Sequence, residues 1–387
     1  MPVILGTDIL FQKELLKGRR IGLVCNPASV DAGFRHVIDR ATGAGVTIGA
    51  LFGPQHGIRS DVQENMIESP HERDVRRSVP VYSLYSDTRE PTPDMLDGLD
   101  ALVIDLQDVG TRIYTYIYTM AYCLRAAGRA GLPVIVCDRP NPIGGVAVEG
   151  PMLEAGFESF VGLFPIPMRH GMTIGELAHF FNETQRLGAK LEVVPMQGWS
   201  REMYFDETGL PFVLPSPNIP TVASEVVYPG TVLFEGVNVS EGRGTTKPFE
   251  LLGAPWVKDA EAFVSGLNAL GLPGTTFRPH SFEPTFHKHA KVLCGGCQVH
   301  VTDRRSFRSV ETGVAAVKAF HDADPSAFGW REGPYEYEYR LPPIDILYGS
   351  GELRAAIAHG RSAREIADGW TGAVRAFEQA RAAYLLY

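Results

Sequence analysis

Polar segments that offer His, Arg, Asp and Asn side chains follow three apolar runs in the first half of the chain, at residues 53–59, 107–112 and 138–142. Each run has the length and β-branched content of a buried strand. Taken singly, each segment is explained equally well by Gly-Pro and Asn-Pro turns or by an Asp that caps the next element. Ligands of an open parallel sheet bind outside the carboxyl ends of the strands, so three such segments on one edge favour a shared site.

Carboxyl groups are the catalysts that this edge best supplies, and the candidates are Glu64, Glu68, Asp105, Asp108, Asp138 and, farther along the chain, Glu241. Glycoside cleavage usually needs two of them, about 5–5.5 Å apart for retention or roughly 6.5–9.5 Å apart for inversion, one with a raised pKa. Asp105 lies inside an apolar run, which favours a paired structural anchor over a proton donor. Glu64 and Glu68 are equally compatible with solvated loop charges.

The chain lacks the sequence motifs of several other catalytic classes. The first predicted strand ends at residues 26–29 in Asn-Pro-Ala-Ser, not in the G-x-G-x-x-G of a dinucleotide site, and no G-x-S-x-G nucleophile elbow occurs. Residues 241–246 lack the Gly-Lys-Ser/Thr ending of a phosphate loop, and Arg243 within them suits a carboxylate or acetamido group better. Cys294-Gly-Gly-Cys297 stands without a second such pair, so we interpret it as structural and predict no metal site.

Length and charge limit the partners. The 387 residues exceed the roughly 250–300 at which one core stops growing, which predicts two domains. A net charge of -9 with scattered basic residues argues against nucleic acid. No run reaches the ~18–20 apolar residues of a membrane span. The first residues lack a basic leader and a cleavage site, so we expect a cytoplasmic protein unless a leader has been removed.

The elements that must position these residues alternate between strands and helices, which is typical of a parallel α/β sheet. Strands are predicted at residues 20–26, 46–52, 79–85, 101–106, 133–137 and 191–196. Helices are predicted at 34–42, at 112–130 and from a capping box at Thr173 to about Leu187. A boundary near Tyr228-Pro229-Gly230 divides the chain into domains 1–228 and 229–387. The second, α+β domain has predicted helices at 260–270, 310–321, 352–359 and 363–384 and a strand at 297–302.

With these segments assembled, the chain resembles the bacterial exo-β-N-acetylmuramidases, a family long known only as a domain of unknown function. The resemblance begins near Ile21 and rests on LFGPQHG (51–57), DLQDVG (105–110), RIYTY (112–116), DRPNPIGG (138–145), RHGMT (169–173), PSPNIPT (215–221) and SEGRGTT (240–246). It implies a Rossmann-like N-terminal domain, a smaller C-terminal α/β domain and a site between them. It also implies release of non-reducing-end N-acetylmuramic acid from peptidoglycan fragments, in cell-wall turnover or recycling, without a cofactor.

Position 55 departs from the family pattern, which has Glu before His-Gly as the usual candidate for the catalytic acid. Here the residue is Gln55, and an amide does not exchange a proton as a carboxyl group does, so we predict that it orients substrate. Similar sequences with this Gln carry a downstream Asn-Met-Ile-Glu segment, as at residues 65–68 here. That makes Glu68, ahead of Glu64, the predicted displaced acid, with His56 as the fallback.

The remaining roles follow from the resemblance and from side-chain chemistry. Asp108 is predicted to be the second carboxylate or an orienting group. The lactyl carboxylate of the sugar predicts an arginine partner, because arginine pairs bidentately with carboxylates. Further substrate-binding residues are predicted for the sugar ring, its hydroxyls and its acetamido group. The predicted arginines are Arg112, Arg169 and Arg243, and the other binding residues are Tyr114, Tyr116, Asn141, His170, Asn218 and Glu241.

Gln55 also motivates two alternatives to an exo-muramidase. One is a related exo-glycosidase with altered sugar specificity, which a panel of sugars would reveal. The other is a non-catalytic protein that binds muropeptide ends, for which we expect saturable binding without turnover. Carboxylate separation and oligomeric state are three-dimensional properties, so the stereochemical outcome and the assembly stay open at this point.

Overall fold

A parallel sheet forms the centre of the first half of the chain, in a computed structural model that describes residues 2–61, 63 and 66–387. The strands of this half are β1 (Arg20–Cys25), β2 (Thr47–Gly53), β3 (Glu72–Asp74), β4 (Val79–Ser83), β5 (Ala101–Asp105), β6 (Pro133–Cys137), β7 (Glu149–Met152), β8 (Pro167–Arg169) and β9 (Lys190–Val194). The six strands predicted from apolar runs all form. The central strands β1, β2, β5 and β6 are buried on both faces because helices and loops cover the sheet, whereas β9 at the edge is partly exposed.

The order of the main sheet, for the part of the chain that is described, is β3-β4-β2-β1-β5-β6-β9. All neighbours are parallel except β3, which is antiparallel to β4. β7 and β8 form a separate antiparallel pair. Chain connections run outward in both directions from β1 and β5, which is the doubly wound Rossmann arrangement with its switch point between these two strands. The predicted Rossmann-like α/β class is therefore confirmed.

The helices of the described first half are α1 (Gly6–Gln12), α2 (Val37–Gly43), α3 (Pro93–Leu96), α4 (Tyr116–Ala130), α5 (Ile174–Thr184) and α6 (Val222–Thr231). The predicted capping box starts α5: Glu176 N–H donates to the Thr173 hydroxyl, and Thr173 N–H donates to the Glu176 carboxylate. α4 begins at Tyr116, not at the predicted Arg112, because residues 112–115 form a turn that presents side chains toward the second half.

The second half contains a small antiparallel sheet and the remaining helices. The strands β10 (Leu251–Ala254), β11 (Thr275–Phe282) and β12 (Cys294–Val301) have the order β10-β12-β11 among the described residues. The helices are α7 (Ala260–Ala269), α8 (Ser309–Ala323), α9 (Pro343–Tyr348), α10 (Glu352–Ala358), α11 (Ala363–Asp368) and α12 (Thr371–Arg381). The single helix predicted at 363–384 is wrong, because the chain breaks at Gly369-Trp370 into α11 and α12.

The predicted boundary at Tyr228-Pro229-Gly230 lies inside α6 and not in a linker. Gly230 is required there because α6 packs closely on α8: a Cβ at this position would lie 1.9 Å from the Ser309 carbonyl oxygen. One hydrophobic cluster also runs from Val24 in β1 to Phe377 in α12. The two halves therefore share a core, and the division into 1–228 and 229–387 stays a prediction.

The crevice at the switch point between β1 and β5 is filled by the chain itself. The Asn26 amide and the Tyr116 hydroxyl both donate to the Pro215 carbonyl oxygen, at 2.9 and 2.7 Å. Phe205 and Leu210 close the same crevice near Arg139. Because this crevice is filled, we expect a ligand to bind elsewhere along the carboxyl edge of the sheet.

Within the described residues, no helix is long and apolar enough to cross a membrane.

Candidate active site

A narrow cavity lies where the carboxyl end of β2 meets the second half of the chain. Both halves line it, with Gln55, His56, Ile113, Tyr114, Thr115, Val161, Ser216, Asn218, Ile219, Tyr228, Glu235, Arg243, Phe249, Tyr335 and Glu336. A larger cavity of about 680 Å³ lies between α7, α8 and α11, but its walls are mostly apolar. We place the candidate site in the smaller cavity because acid, amide and hydroxyl groups converge there.

Gln55 is held at the end of β2 by a tight loop. Gly53 allows the loop to fold back on the strand, since a Cβ there would lie 2.6 Å from the Ile58 nitrogen. The amide oxygen of Gln55 accepts a hydrogen bond from the Thr115 hydroxyl at 2.8 Å. Its amide nitrogen donates to the Glu336 carboxyl group at 3.2 Å. Gln55 therefore connects the residue that precedes α4 to a carboxyl group from the second half.

Glu336 is 4% exposed and is the buried acid of this cavity that contacts Gln55. The Tyr85 hydroxyl donates to its other oxygen at 2.7 Å. Burial raises the pKa of Glu336 to about 7; the Glu235 charge acts in the same direction, and the hydrogen bonds from Tyr85 and Gln55 oppose it. Near neutral pH this carboxyl group is therefore divided between its acid and carboxylate forms.

The backbone presents Glu336 from a two-residue turn. Tyr335 and Glu338 exchange backbone hydrogen bonds at 3.0 and 2.9 Å, and the central residues Glu336 and Tyr337 have φ of 46° and 66°. Turns with two positive φ values strongly favour Asn-Gly, and each bulky residue in such a conformation costs on the order of 1 kcal/mol. The turn thus keeps two unfavourable residues, one of which carries the carboxyl group of the cavity. Such strain is typical of functional sites.

Glu235 supplies a second carboxylate to the cavity from the short helical turn Val232–Gly236 that follows α6. It forms an ion pair with Arg243 at 2.7 Å and accepts a hydrogen bond from the Tyr335 hydroxyl at 2.6 Å. Arg243 also pairs with Glu241 at 2.8 Å. Arg243 lines the cavity as predicted, but two carboxylates of the protein already engage its guanidinium.

Glu241 lies behind Arg243 and outside the residues that line the cavity. Burial acts to raise the pKa of Glu241, but Lys288 at 2.7 Å, His287 at 3.2 Å and Arg243 together hold that pKa well below its usual value. Its predicted contact with substrate is not supported by this placement. The carboxylate instead fixes Arg243, and through Arg243 it fixes Glu235.

Of the other predicted binding residues, Gln55, His56, Tyr114 and Asn218 line the cavity. The backbone is also strained beside Gln55, where His56 has a φ of 69°. The Asn218 amide donates to the Gln63 carbonyl oxygen at 2.8 Å and so ties two loops together. Their contacts with substrate stay predictions.

Glu68, the first choice among the acids predicted after residue 55, does not line the cavity. The Glu68 side chain is 45% exposed and lies 3.6 Å from Arg89, outside the lining residues. Glu64 lies outside the described residues. Glu336, which the sequence analysis did not single out, contacts Gln55 in this structure, and the catalytic role of Glu68 stays a prediction.

Asp108 and His170 form a pair beneath the site. Asp108 is 2% exposed and accepts the Gly110 N–H at 2.9 Å, and His170 Nε2 lies 3.2 Å from its carboxylate. His170 Nδ1 accepts the Met172 N–H at 3.2 Å, whereas Nε2 is buried near Asp108 without a well-aligned hydrogen bond. Neither residue lines the cavity, so the roles of Asp108 as second carboxylate or orienting group and of His170 in substrate binding stay predictions. Asp105, by contrast, is the predicted anchor: Arg139 binds its two oxygens at 2.5 and 3.0 Å.

Four further predicted binding residues are buried outside the cavity: Arg112, Tyr116, Asn141 and Arg169. Arg112 donates to the carbonyl oxygens of residues 151, 166, 347 and 348. Tyr116 donates to Pro215, Asn141 to the Met172 carbonyl at 2.9 Å, and Arg169 to the Ile143 carbonyl. Each of these side chains donates to buried backbone carbonyls and lies outside the cavity, and its contact with substrate stays a prediction.

Sequence reasoning missed Glu336, Glu235, Tyr335 and Thr115. The alternating Tyr-Glu-Tyr-Glu-Tyr at residues 335–339, between Gly333-Pro334 and Leu341-Pro342, was the available signal for an ordered loop with acids. Its relation to Gln55 could not be inferred, because Glu336 lies 281 residues away in the chain.

Comparisons with known proteins support the resemblance stated from the motifs. Two family models match, described as exo-beta-N-acetylmuramidase NamZ, N-terminal, over residues 21–223 and C-terminal, over residues 226–387. The curated peptidoglycan beta-N-acetylmuramidase NamZ of Bacillus subtilis (strain 168) is 50% identical over 385 residues, which are 99% of this chain and 91% of that protein.

Two crystal structures of DUF1343 family proteins from Bacteroides fragilis NCTC 9343 share the fold. One has a TM-score of 0.91 at 36% identity, and the other has a TM-score of 0.76 at 28% identity. Each alignment covers 100% of this chain and 99% of the other. The likeness therefore extends across both halves that line the cavity.

Proposed function

The chain belongs to the exo-β-N-acetylmuramidase family, and on that premise we propose that it hydrolyses the β-glycosidic bond after a non-reducing-end N-acetylmuramic acid in peptidoglycan fragments. The observation that carries the proposal is the cavity in which Gln55 of the first half contacts the buried acid Glu336 of the second. Glycoside hydrolysis requires a carboxylic acid that still holds a proton near neutral pH, and burial of Glu336 favours that form.

The same cavity supports catalysis over binding alone. A buried carboxyl group costs stability unless it is neutral or paired, and two strained residues at Glu336 and Tyr337 add to that cost. A site that only bound sugar would need neither feature. We keep the sugar specificity, the role in cell-wall turnover or recycling and the cytoplasmic location as predictions.

Release of free sugar from a β-linked MurNAc-GlcNAc disaccharide tests the proposal. We expect wild-type protein to release N-acetylmuramic acid, with little or no turnover of a GlcNAc-GlcNAc disaccharide as the control. Faster turnover of the control sugar would indicate an exo-glycosidase of altered specificity. Saturable binding of MurNAc-GlcNAc in calorimetry without any release of sugar would indicate a binding protein and contradict the proposal.

A further inference from the structure

We infer, on the basis of the proposed hydrolysis, that Glu336 is the catalytic residue that protonates the leaving oxygen and that Gln55 is the residue that positions it. Position 55 of this chain is an amide. The amide lies 3.2 Å from the Glu336 carboxyl group. An amide does not exchange a proton as a carboxyl group does, so Glu336, one hydrogen bond away, is the group of this pair that can act as an acid.

The two carboxyl groups that line the cavity have different surroundings. Glu235 forms an ion pair with Arg243 at 2.7 Å and accepts a hydrogen bond from the Tyr335 hydroxyl at 2.6 Å. Among the described residues, Glu336 has no ion-pair partner within 4 Å; its contacts are the Tyr85 hydroxyl and the Gln55 amide. Glu336 is buried and contacts neutral hydrogen-bonding groups, a setting that favours the protonated form of a carboxyl group. Glu336 is the member suited to hold a proton.

The neighbour of Glu336 at position 55 is an amide and not a carboxyl group. Two carboxyl groups 3.2 Å apart would share one proton, and their titrations would be coupled. The Gln55 amide does not titrate, and its orientation is set by the Thr115 hydroxyl on its oxygen and by Glu336 on its nitrogen. Glu336 therefore titrates beside a fixed neutral donor.

Six charged or titratable groups of the described residues face Glu336: Tyr85 after β4, Tyr228 in α6, Glu235 after α6, Arg89 from the loop beyond Tyr85, and Tyr335 and Tyr337 of its own turn. Arg89 stacks on the Tyr85 ring at 4.2 Å and on the Tyr337 ring at 4.6 Å. Burial outweighs these groups and raises the pKa of Glu336 to about 7. An acid with a pKa near the working pH is the most effective proton donor.

Water is the second reactant of the hydrolysis. The Glu336 proton passes to the glycosidic oxygen as the bond between that oxygen and the anomeric carbon breaks, and the leaving sugar departs as an alcohol. A water oxygen bonds to the anomeric carbon and loses one proton to solvent. Glu336 takes up a proton from solvent, which completes the cycle.

Glu336→Gln tests the inference. We expect kcat on the MurNAc-GlcNAc disaccharide to fall by about 10²- to 10⁴-fold, which is the usual contribution of a general acid. Activity on a nitrophenyl β-N-acetylmuramide should fall far less, because nitrophenolate leaves without protonation. Glu338→Gln is the matched control: it lies in the same turn, pairs with Arg340 and is absent from the cavity lining, so activity should be unchanged.

The exchanged pair Gln55→Glu with Glu336→Gln provides the second arm. It moves the carboxyl group across the same hydrogen bond, so we expect it to recover at least part of the activity that Glu336→Gln loses. In Gln55→Ala, loss of the amide donor should shift the alkaline limb of kcat/KM above its wild-type position near pH 7, because that hydrogen bond lowers the pKa of Glu336.

Full activity of Glu336→Gln on the disaccharide, or an equal loss on both substrates with no rescue by the exchanged pair, would overturn the inference. A loss confined to Glu68→Gln would return the acid function to the exposed loop. If wild-type protein releases no sugar at all, the proposed hydrolysis fails, which is a separate outcome from failure of Glu336 as its acid.

Discussion

Arg112 shows how burial decides between recognition and structure for a single side chain. A sugar carboxylate would need a guanidinium with donors to spare, but the two terminal nitrogens of Arg112 donate to four backbone carbonyls, two of them at the end of α9. The side chain is fully buried. The guanidinium therefore joins the turn before α4 to the second half of the chain.

Arg112→Lys should lower the free energy of unfolding by about 3–5 kcal/mol, because an ammonium group cannot reach all these carbonyls and leaves buried acceptors unsatisfied. Urea denaturation measures the loss. Arg129→Lys on the exposed side of α4 is the control, expected within about 0.5 kcal/mol of wild type. A large rise in KM without loss of stability would instead support contact of Arg112 with substrate.

β7 carries a buried carboxyl group between the two halves. Glu149 lies opposite Arg169 in the antiparallel pair of β7 and β8. Its carboxyl group accepts the Glu311 N–H at the start of α8, at 2.9 Å. Burial raises the pKa of Glu149 to about 7. The folded state therefore binds this proton more tightly than the unfolded chain, so the stabilisation is complete below about pH 4.5 and is lost as the pH rises toward 7.

Glu149→Gln removes this proton uptake. We expect the free energy of unfolding of the variant to vary less with pH between 4.5 and 7 than that of wild type, by up to about 1.4 kcal/mol per pH unit. Denaturation series at several pH values measure the slope. Glu154→Gln, in the exposed loop after β7, controls for loss of one charge. Parallel slopes in wild type and Glu149→Gln would contradict the prediction.

Tyr387 connects the C-terminal helices to the main sheet of the first half. The Tyr387 hydroxyl donates to Asp138, after β6, at 2.7 Å and accepts the Met196 N–H at 2.6 Å. Its ring packs edge-on against Trp199 with centroids 5.2 Å apart. These contacts hold the C-terminal helices against the carboxyl edge of the sheet, where the candidate cavity also lies.

Tyr387→Phe should keep the packing and lower the free energy of unfolding by about 1–3 kcal/mol, because the Met196 N–H and the Asp138 carboxyl group each lose a partner. Thermal unfolding compares it with Tyr339→Phe, whose side chain is 73% exposed. Identical melting temperatures for the two variants would show that the hydrogen bonds of the Tyr387 hydroxyl contribute nothing to stability.

The sequence by itself determined the features that depend on neighbours along the chain. The six main strands, the capping box at Thr173 and the Asp105 anchor follow from apolar runs, side-chain-to-backbone bonding and the cost of an unpaired buried charge. The motifs also placed the site at the carboxyl edge of the sheet. Within that edge, Gln55 lines the candidate cavity.

Only the tertiary structure decided which polar side chains face the cavity. Arg112, Arg169 and His170 satisfy partners that come from elsewhere in the chain, and local sequence does not show where buried partners will lie. Glu336 reaches Gln55 across 281 residues, through a turn that its own residues disfavour. Long-range packing held that turn in place, and packing of this kind has no signature in the spacing of residues.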